Sequence, residues 1–240
     1  MKKFAFIIVA ISMLLGCKKV VPETTPQDVN VTLAFTLDTS VGSDMTRATD
    51  SEVFDMFYQK MKTGELVEAS YSITFTEVTT GAKYEFTGKW ANKDMVTIRT
   101  GKYRVEGKST AKGNYIQSIA SLVFDEEVNI SASSTSITLK AVYDCFLLAF
   151  AKSNITSLVC VPYKSDYVPD DQAFFTLGDY YYAFVNDKLY SNKSEGYIRG
   201  IRGQETLKIM TGSAAFEKGK YYIYNDISST FELPKMQPGV

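Results

Sequence analysis

The residue types that carry most enzymatic chemistry are thinly represented in this chain. Of its 240 residues none is histidine, which removes the usual neutral-pH acid–base, the imidazole of nucleophile–base triads and the commonest zinc ligand. Asp166, Asp170 and Asp171 share one polar stretch. They lack the ordered alternation and closing Glu of a calcium loop, so a solvated acidic loop is expected rather than a metal site. Glu126 and Glu127 point to opposite faces if extended, which argues against a paired-carboxylate device. Gly200-Ile201-Arg202-Gly203 has glycines but no phosphate-loop lysine. The expectation is a protein that is not an enzyme, with no catalytic residue, no metal and no cofactor.

Two other groups of side chains could act. Cys145 and Cys160 lie equidistant from Lys152-Ser153. A hairpin turning there would set them opposite each other, near the Cβ separation that a disulfide requires; the alternative is two small buried thiols. Tyr180, Tyr182 and Phe184 would share one face of a strand, as would Tyr222 and Tyr224 on another. If exposed, these tyrosines offer flat amphipathic surfaces for a sugar or a protein ligand. If buried, they are aromatics favoured by strands.

The address is set by residues 1–17. Lys2 and Lys3 precede an apolar run from Phe4 to Leu15, which is too short for a ~30 Å hydrocarbon core that needs roughly 20 residues. It reads as a removable export signal. Its ending, Leu14-Leu15-Gly16-Cys17, resembles the lipobox of bacterial lipoproteins. That resemblance implies removal of residues 1–16, with acylation of Cys17 on its sulfur and on the new amino group. Two or more acyl chains anchor stably where one holds marginally. The expected location is the cell envelope, with the protein anchored by lipid in the outer membrane and neither face specified.

The elements follow from periodicity. Residues 17–27 hold two prolines and no apolar pattern, and read as a tether. Val29, Val31, Leu33, Phe35 and Leu37 then occupy every odd position, the signature of a strand buried on one face. After a polar stretch, Val53, Phe54, Phe57, Tyr58 and Met61 give the apolar stripe of one short helix over residues 50–63, with Asp50 or Ser51 as cap and Gly64 beyond its end. Thereafter short alternating strands and turns succeed one another. Thr79–Ala82 reads as a turn, Thr100-Gly101 as a hairpin, and residues 131–136 as a serine-rich turn. From Ala141 to Ala151 the sequence AVYDCFLLAFA is nearly continuously apolar, as in one strand buried on both faces. The expected fold is all-β, of antiparallel β-sandwiches. The expected units are residues 28–142 and 143–240, with one continuous sandwich as the alternative. A hydrophobic share of 45% supplies a core, and 26 basic against 27 acidic residues leave no footprint for nucleic acid.

Thr46-Arg47-Ala48-Thr49 lies between the first strand and the helix, in polar, protease-accessible sequence. Lipobox, tether, alternating strand, T-R-A-T step and two β-rich units together resemble the fimbrillin-type pilins and related lipoproteins of Bacteroidales. Gly101-Lys-Tyr-Arg-Val105 is similar to a strand of transthyretin-like sandwiches. The resemblance implies a structural or adhesive role, with cleavage after Arg47, a new N-terminus at Ala48 and loss of the strand Val29–Leu37. A strand of the next subunit would fill the groove, so self-association by strand exchange is implied. The alternatives are that Arg47 is an ordinary loop residue and the strand stays, or that the chain binds carbohydrate or protein through exposed tyrosines.

Overall fold

The computed structural model describes residues 25–38, 48–109, 116–153, 155–161, 172–185, 197–210 and 216–225. The signal, Cys17, Arg47 and the acidic loop at 166–171 lie outside these. In the first half the elements are β1 (Asp28–Leu37), α1 (Ala48–Lys62), β2 (Ser70–Glu77), β3 (Lys83–Lys89), β4 (Asp94–Arg99), β5 (Gly101–Ser109), β6 (Ile116–Gln117), β7 (Leu122–Ile130) and β8 (Ser136–Tyr143). Seven of the strands run in the order β3-β2-β5-β7-β8-β1-β4. The β7–β8 ladder is only two pairs long, Leu122↔Tyr143 and Val123↔Val142. The run therefore divides there into two layers, β3-β2-β5-β7 and β8-β1-β4, whose apolar faces meet.

Alternation decides which side chains meet. Tyr71, Ile73 and Phe75 of β2 and Tyr103 and Val105 of β5 are fully buried. Between them, charged residues face outward, where Lys102 pairs with Glu127 at 2.5 Å and Arg104 with Asp125 at 3.0 Å. The predicted turn at 79–82 joins β2 to β3. The Glu77 carboxylate accepts the amides of Thr79 and Thr80, and Gly81 takes φ +73°, a conformation glycine adopts without steric cost.

Thr100-Gly101 corrects one expectation, because it is no hairpin. β4 pairs with β1, whereas β5 pairs with β2 and β7. One residue, Thr100, carries the chain from one layer to the other, and the Tyr103 hydroxyl braces the corner by donating to Arg99 O at 2.7 Å.

The second half comprises β9 (Phe146–Ala151), β10 (Ser157–Val161), β11 (Gln172–Ala173), β12 (Phe175–Leu177), β13 (Tyr180–Val185), β14 (Tyr197–Arg202), β15 (Glu205–Met210) and β16 (Tyr221–Tyr224). They form the sheets β12-β13-β9-β16, with β6 added on β13, and β11-β10-β14-β15. The β9 sheet is a middle layer. Leu147, Ala149, Tyr182, Phe184, Tyr221 and Ile223 join the core of the first sandwich. Phe146, Leu148, Phe150, Ala183, Val185, Tyr222 and Tyr224 form a second core with Leu158, Cys160, Ile198 and Leu207. The chain thus changes sheets between Tyr143 and Phe146 while one core runs across the change.

Helix α1 sits in that shared core. It begins two residues before the predicted start, so Asp50 and Ser51 fall within its first turn rather than at its cap. Phe54 stacks on Tyr221 (centroids 4.3 Å, 19°) and Phe57 tilts against Tyr182 (5.1 Å, 59°). Gly64, at φ +92°, ends it as predicted, and the Glu65 amide closes back on Lys60 O at 2.9 Å. The described residues are all-β with one short helix, as the sequence predicts.

Candidate functional site: the seat of the first strand

β1 is held on both sides, in a staggered way. Its first half, Asp28 to Leu33, pairs antiparallel with β4, and its second half, Thr32 to Leu37, pairs parallel with β8. Outside those ladders, the Thr100 amide donates to Gln27 O and the Asp38 amide to Ala141 O, both at 2.8 Å. Among the described residues, β1 alone connects β4 to β8 in the strand order. Without it, both neighbours present a row of unmatched peptide groups.

The inward face of β1 is apolar throughout. Val31, Leu33 and Leu37 are buried, and Val29 and Phe35 pack against the same core. At about 1.5–3 kcal/mol for each fully buried aliphatic side chain, the three buried residues contribute on the order of 5–9 kcal/mol. That matches the whole net stability of an ordinary domain, about 5–15 kcal/mol, so an emptied slot would have to be refilled. The outward face is polar or half-exposed: Asn30, Thr32, Ala34 and Thr36, with Asn30 Oδ1 accepting from Thr97 Oγ1 at 2.7 Å.

Phe35 packs across the sandwich against the opposite layer. Its ring stacks on Trp90 (6.0 Å, 10°) and tilts against Phe124 (5.0 Å) and Tyr71 (5.7 Å). Beneath it lies Gly88 of β3, buried, where a Cβ would overlap Phe35 Cζ and stand 2.7 Å from Cε2. Trp90 is fixed by donation from its Nε1 to Lys62 O at 3.3 Å and from its amide to Ala69 O at 3.1 Å.

The other candidate residues fall as follows. Ala48 opens α1, immediately after the stretch that contains Arg47. Cys145 and Cys160 are not joined by a disulfide. The expected hairpin does not form, because β9 and β10 belong to different sheets, and the thiols enter different cores. Cys145 donates to Ser121 O at 3.5 Å, and burial pushes its thiol up to about 12.

The tyrosine expectation is also corrected. Tyr182, Tyr222 and Tyr224 are 4%, 3% and 1% exposed, because the middle layer is covered on both faces. The Tyr182 hydroxyl donates to Ser118 O at 3.0 Å, that of Tyr222 accepts the Glu217 amide at 3.0 Å, and that of Tyr180 donates to Asn225 Oδ1 at 2.8 Å. Burial raises the pKa of Tyr182, Tyr222 and Tyr224 alike. These three are core residues and offer no stacking platform, whereas Tyr180 is half-buried. Among the described residues, no three His, Cys, Asp or Glu side chains are grouped to hold a metal, and no helix is long and apolar enough to cross a membrane.

Sequence reasoning missed Gly88 and Trp90 as parts of the seat. It also missed strand β14, where Gly200 interrupts the apolar pattern. The available signal was Gly203-Gln204 between two short runs, which forms a two-residue hairpin with Arg202 opposite Glu205 and Gly203 at φ +61°.

The chain is thus a multilayer β-sandwich protein with one strand set between two others near its start. No protein-family model matches it, and no curated protein matches it. Similar solved structures include fimbrial and adhesion proteins of Bacteroidales. One is a fimbrial assembly protein of Parabacteroides distasonis, at 12% identity and TM-score 0.48, covering 85% of this chain and 93% of that one. Another, provisionally named a cell adhesion protein, comes from Bacteroides uniformis, at 10% identity and TM-score 0.46, covering 82% and 92%. A third, provisionally named an adhesin, comes from Bacteroides ovatus, at 10% identity and TM-score 0.34, covering 87% and 93%.

Proposed function

We propose that this chain is a lipid-anchored envelope protein of structural or adhesive role, assembled by exchange of its first strand. Anchored through Cys17, the precursor carries β1 as a plug. Cleavage after Arg47 leaves the lipid and β1 on one fragment and the body, beginning at Ala48, on the other. Sheet pairing, apolar contact, the Lys140–Asp38 ion pair at 2.9 Å and the Thr97–Asn30 hydrogen bond then join them without a covalent link. Departure of β1 releases the body from its anchor and opens the slot between β4 and β8, which an extended segment of another copy fills by strand addition.

One observation carries this reading. The strand nearest the proposed cut is held by its neighbours on both sides, is apolar along its whole inward face, and is, among the described residues, the sole hydrogen-bonded link between β4 and β8. α1 stays behind because Phe54, Phe57 and Met61 lock it into the shared core. Treating the full-length protein with an arginine-specific protease should give a ladder of multimers on a non-boiled gel, and Arg47→Ala should abolish the ladder. Cleavage at Arg47 that yields only monomers, or only unfolded protein, contradicts it.

A further inference from the structure

Alternation alone does not fix where a strand stops in the slot. Side chains repeat every two residues, so a slide of two keeps every inward residue inward. Valine and leucine exchange places in a core at modest cost. Val29, Val31, Leu33 and Leu37 would therefore tolerate several registers. Phe35 would not. Its ring lies where a side chain of residue 88 would stand, stacked on Trp90 and tilted against Phe124 and Tyr71, and its backbone is opposite Leu139.

From this geometry we infer that Tyr71, Gly88, Trp90 and Phe124 form a selecting seat. It sets the register of the occupying strand and admits an extended segment that carries an aromatic ring level with Leu139 and smaller apolar residues at the other inward positions. The inference rests on the exchange reading above and adds the chemistry by which a second copy is recognised. An aliphatic residue at the aromatic position leaves a void over Gly88. An aromatic residue two places away meets packed side chains instead of a seat. A void and an overlap each cost enough to separate a right partner from a wrong one.

The test uses the full chain cut with arginine-specific protease and two fluorescent synthetic peptides. One has the sequence of residues 28–38, and the other has the same sequence with Phe35→Ala. The first should displace β1 and bind roughly tenfold or more tightly than the second. In protein carrying Gly88→Val the order should reverse, since the added side chain fills the seat. Equal binding of the two peptides, or an unchanged order in Gly88→Val, overturns the seat. If neither peptide enters because β1 never leaves, the exchange reading fails, and the seat is read in the uncut chain instead. There Gly88→Val should lower the urea midpoint, and adding Phe35→Ala should restore at least part of the loss. A double variant no more stable than Gly88→Val alone overturns the seat even then.

Discussion

Strands β1 and β9 each have a partner on both sides, and each runs parallel to one of them: β1 to β8, and β9 to β16. They differ in their faces. β1 is buried on one face and half-wet on the other, whereas β9 has both faces in apolar cores and no exposed residue between Phe146 and Phe150. A strand with one wet face loses a single apolar contact surface when it leaves, since its other face already met water. A strand buried on both faces cannot leave without dividing the molecule. The same fold thus holds one position suited to exchange and one suited to permanence.

The sharpest way to break that contrast is to place a charge on each strand. Ala149→Lys puts an ammonium group at a fully buried position of β9. It should abolish folding, since the charge has no partner there; a native circular-dichroism spectrum for this variant would remove the distinction. Next in size, Phe150→Ala should cost about 3–5 kcal/mol in urea unfolding, because its ring stacks on Tyr224 at 4.9 Å and meets Phe174 edge-on at 5.6 Å.

Alkaline pH tests the buried tyrosines together. Burial holds Tyr71, Tyr143 and Tyr224 well above the ordinary 10.0 and raises Tyr103 to about 12, while Cys145 rises from 9.0 to about 12. These groups stay protonated when folded and ionise when unfolded. Stability should be flat below about pH 9 and fall above it, by about 1.4 kcal/mol per pH unit for each group in that window. A urea midpoint unchanged between pH 8 and 11 would show that the rings are accessible. The smallest effect belongs to Thr36→Lys on the exposed face of β1, which should shift stability by no more than about 0.5 kcal/mol.

Sequence patterns mark β1 and β9 by different signals, and the second is right only in part. Period two marks β1, whereas the apolar run from Ala141 to Ala151 holds the end of β8 as well as β9, because the chain bends at Asp144-Cys145 and changes sheets there. α1 and its closing glycine were legible because they depend on neighbouring residues. Sheet membership was not. Thr100-Gly101 has the composition of a hairpin yet crosses between layers, and Lys152-Ser153 separates strands of different sheets. Both outcomes are decided by pairing with strands distant in sequence. The tyrosines have the right spacing for a binding face, but spacing cannot say that a second sheet covers it. Nor can it show that Gly88, 53 places along the chain from Phe35, makes room for that ring.

The exchange account is tested most directly by the mass and N-terminal sequence of the protein taken from native envelopes. Two forms are expected: a monomer starting at acylated Cys17, and assembled copies starting at Ala48 that lack residues 28–37. Assemblies whose every copy still begins at acylated Cys17 and retains β1 would contradict it.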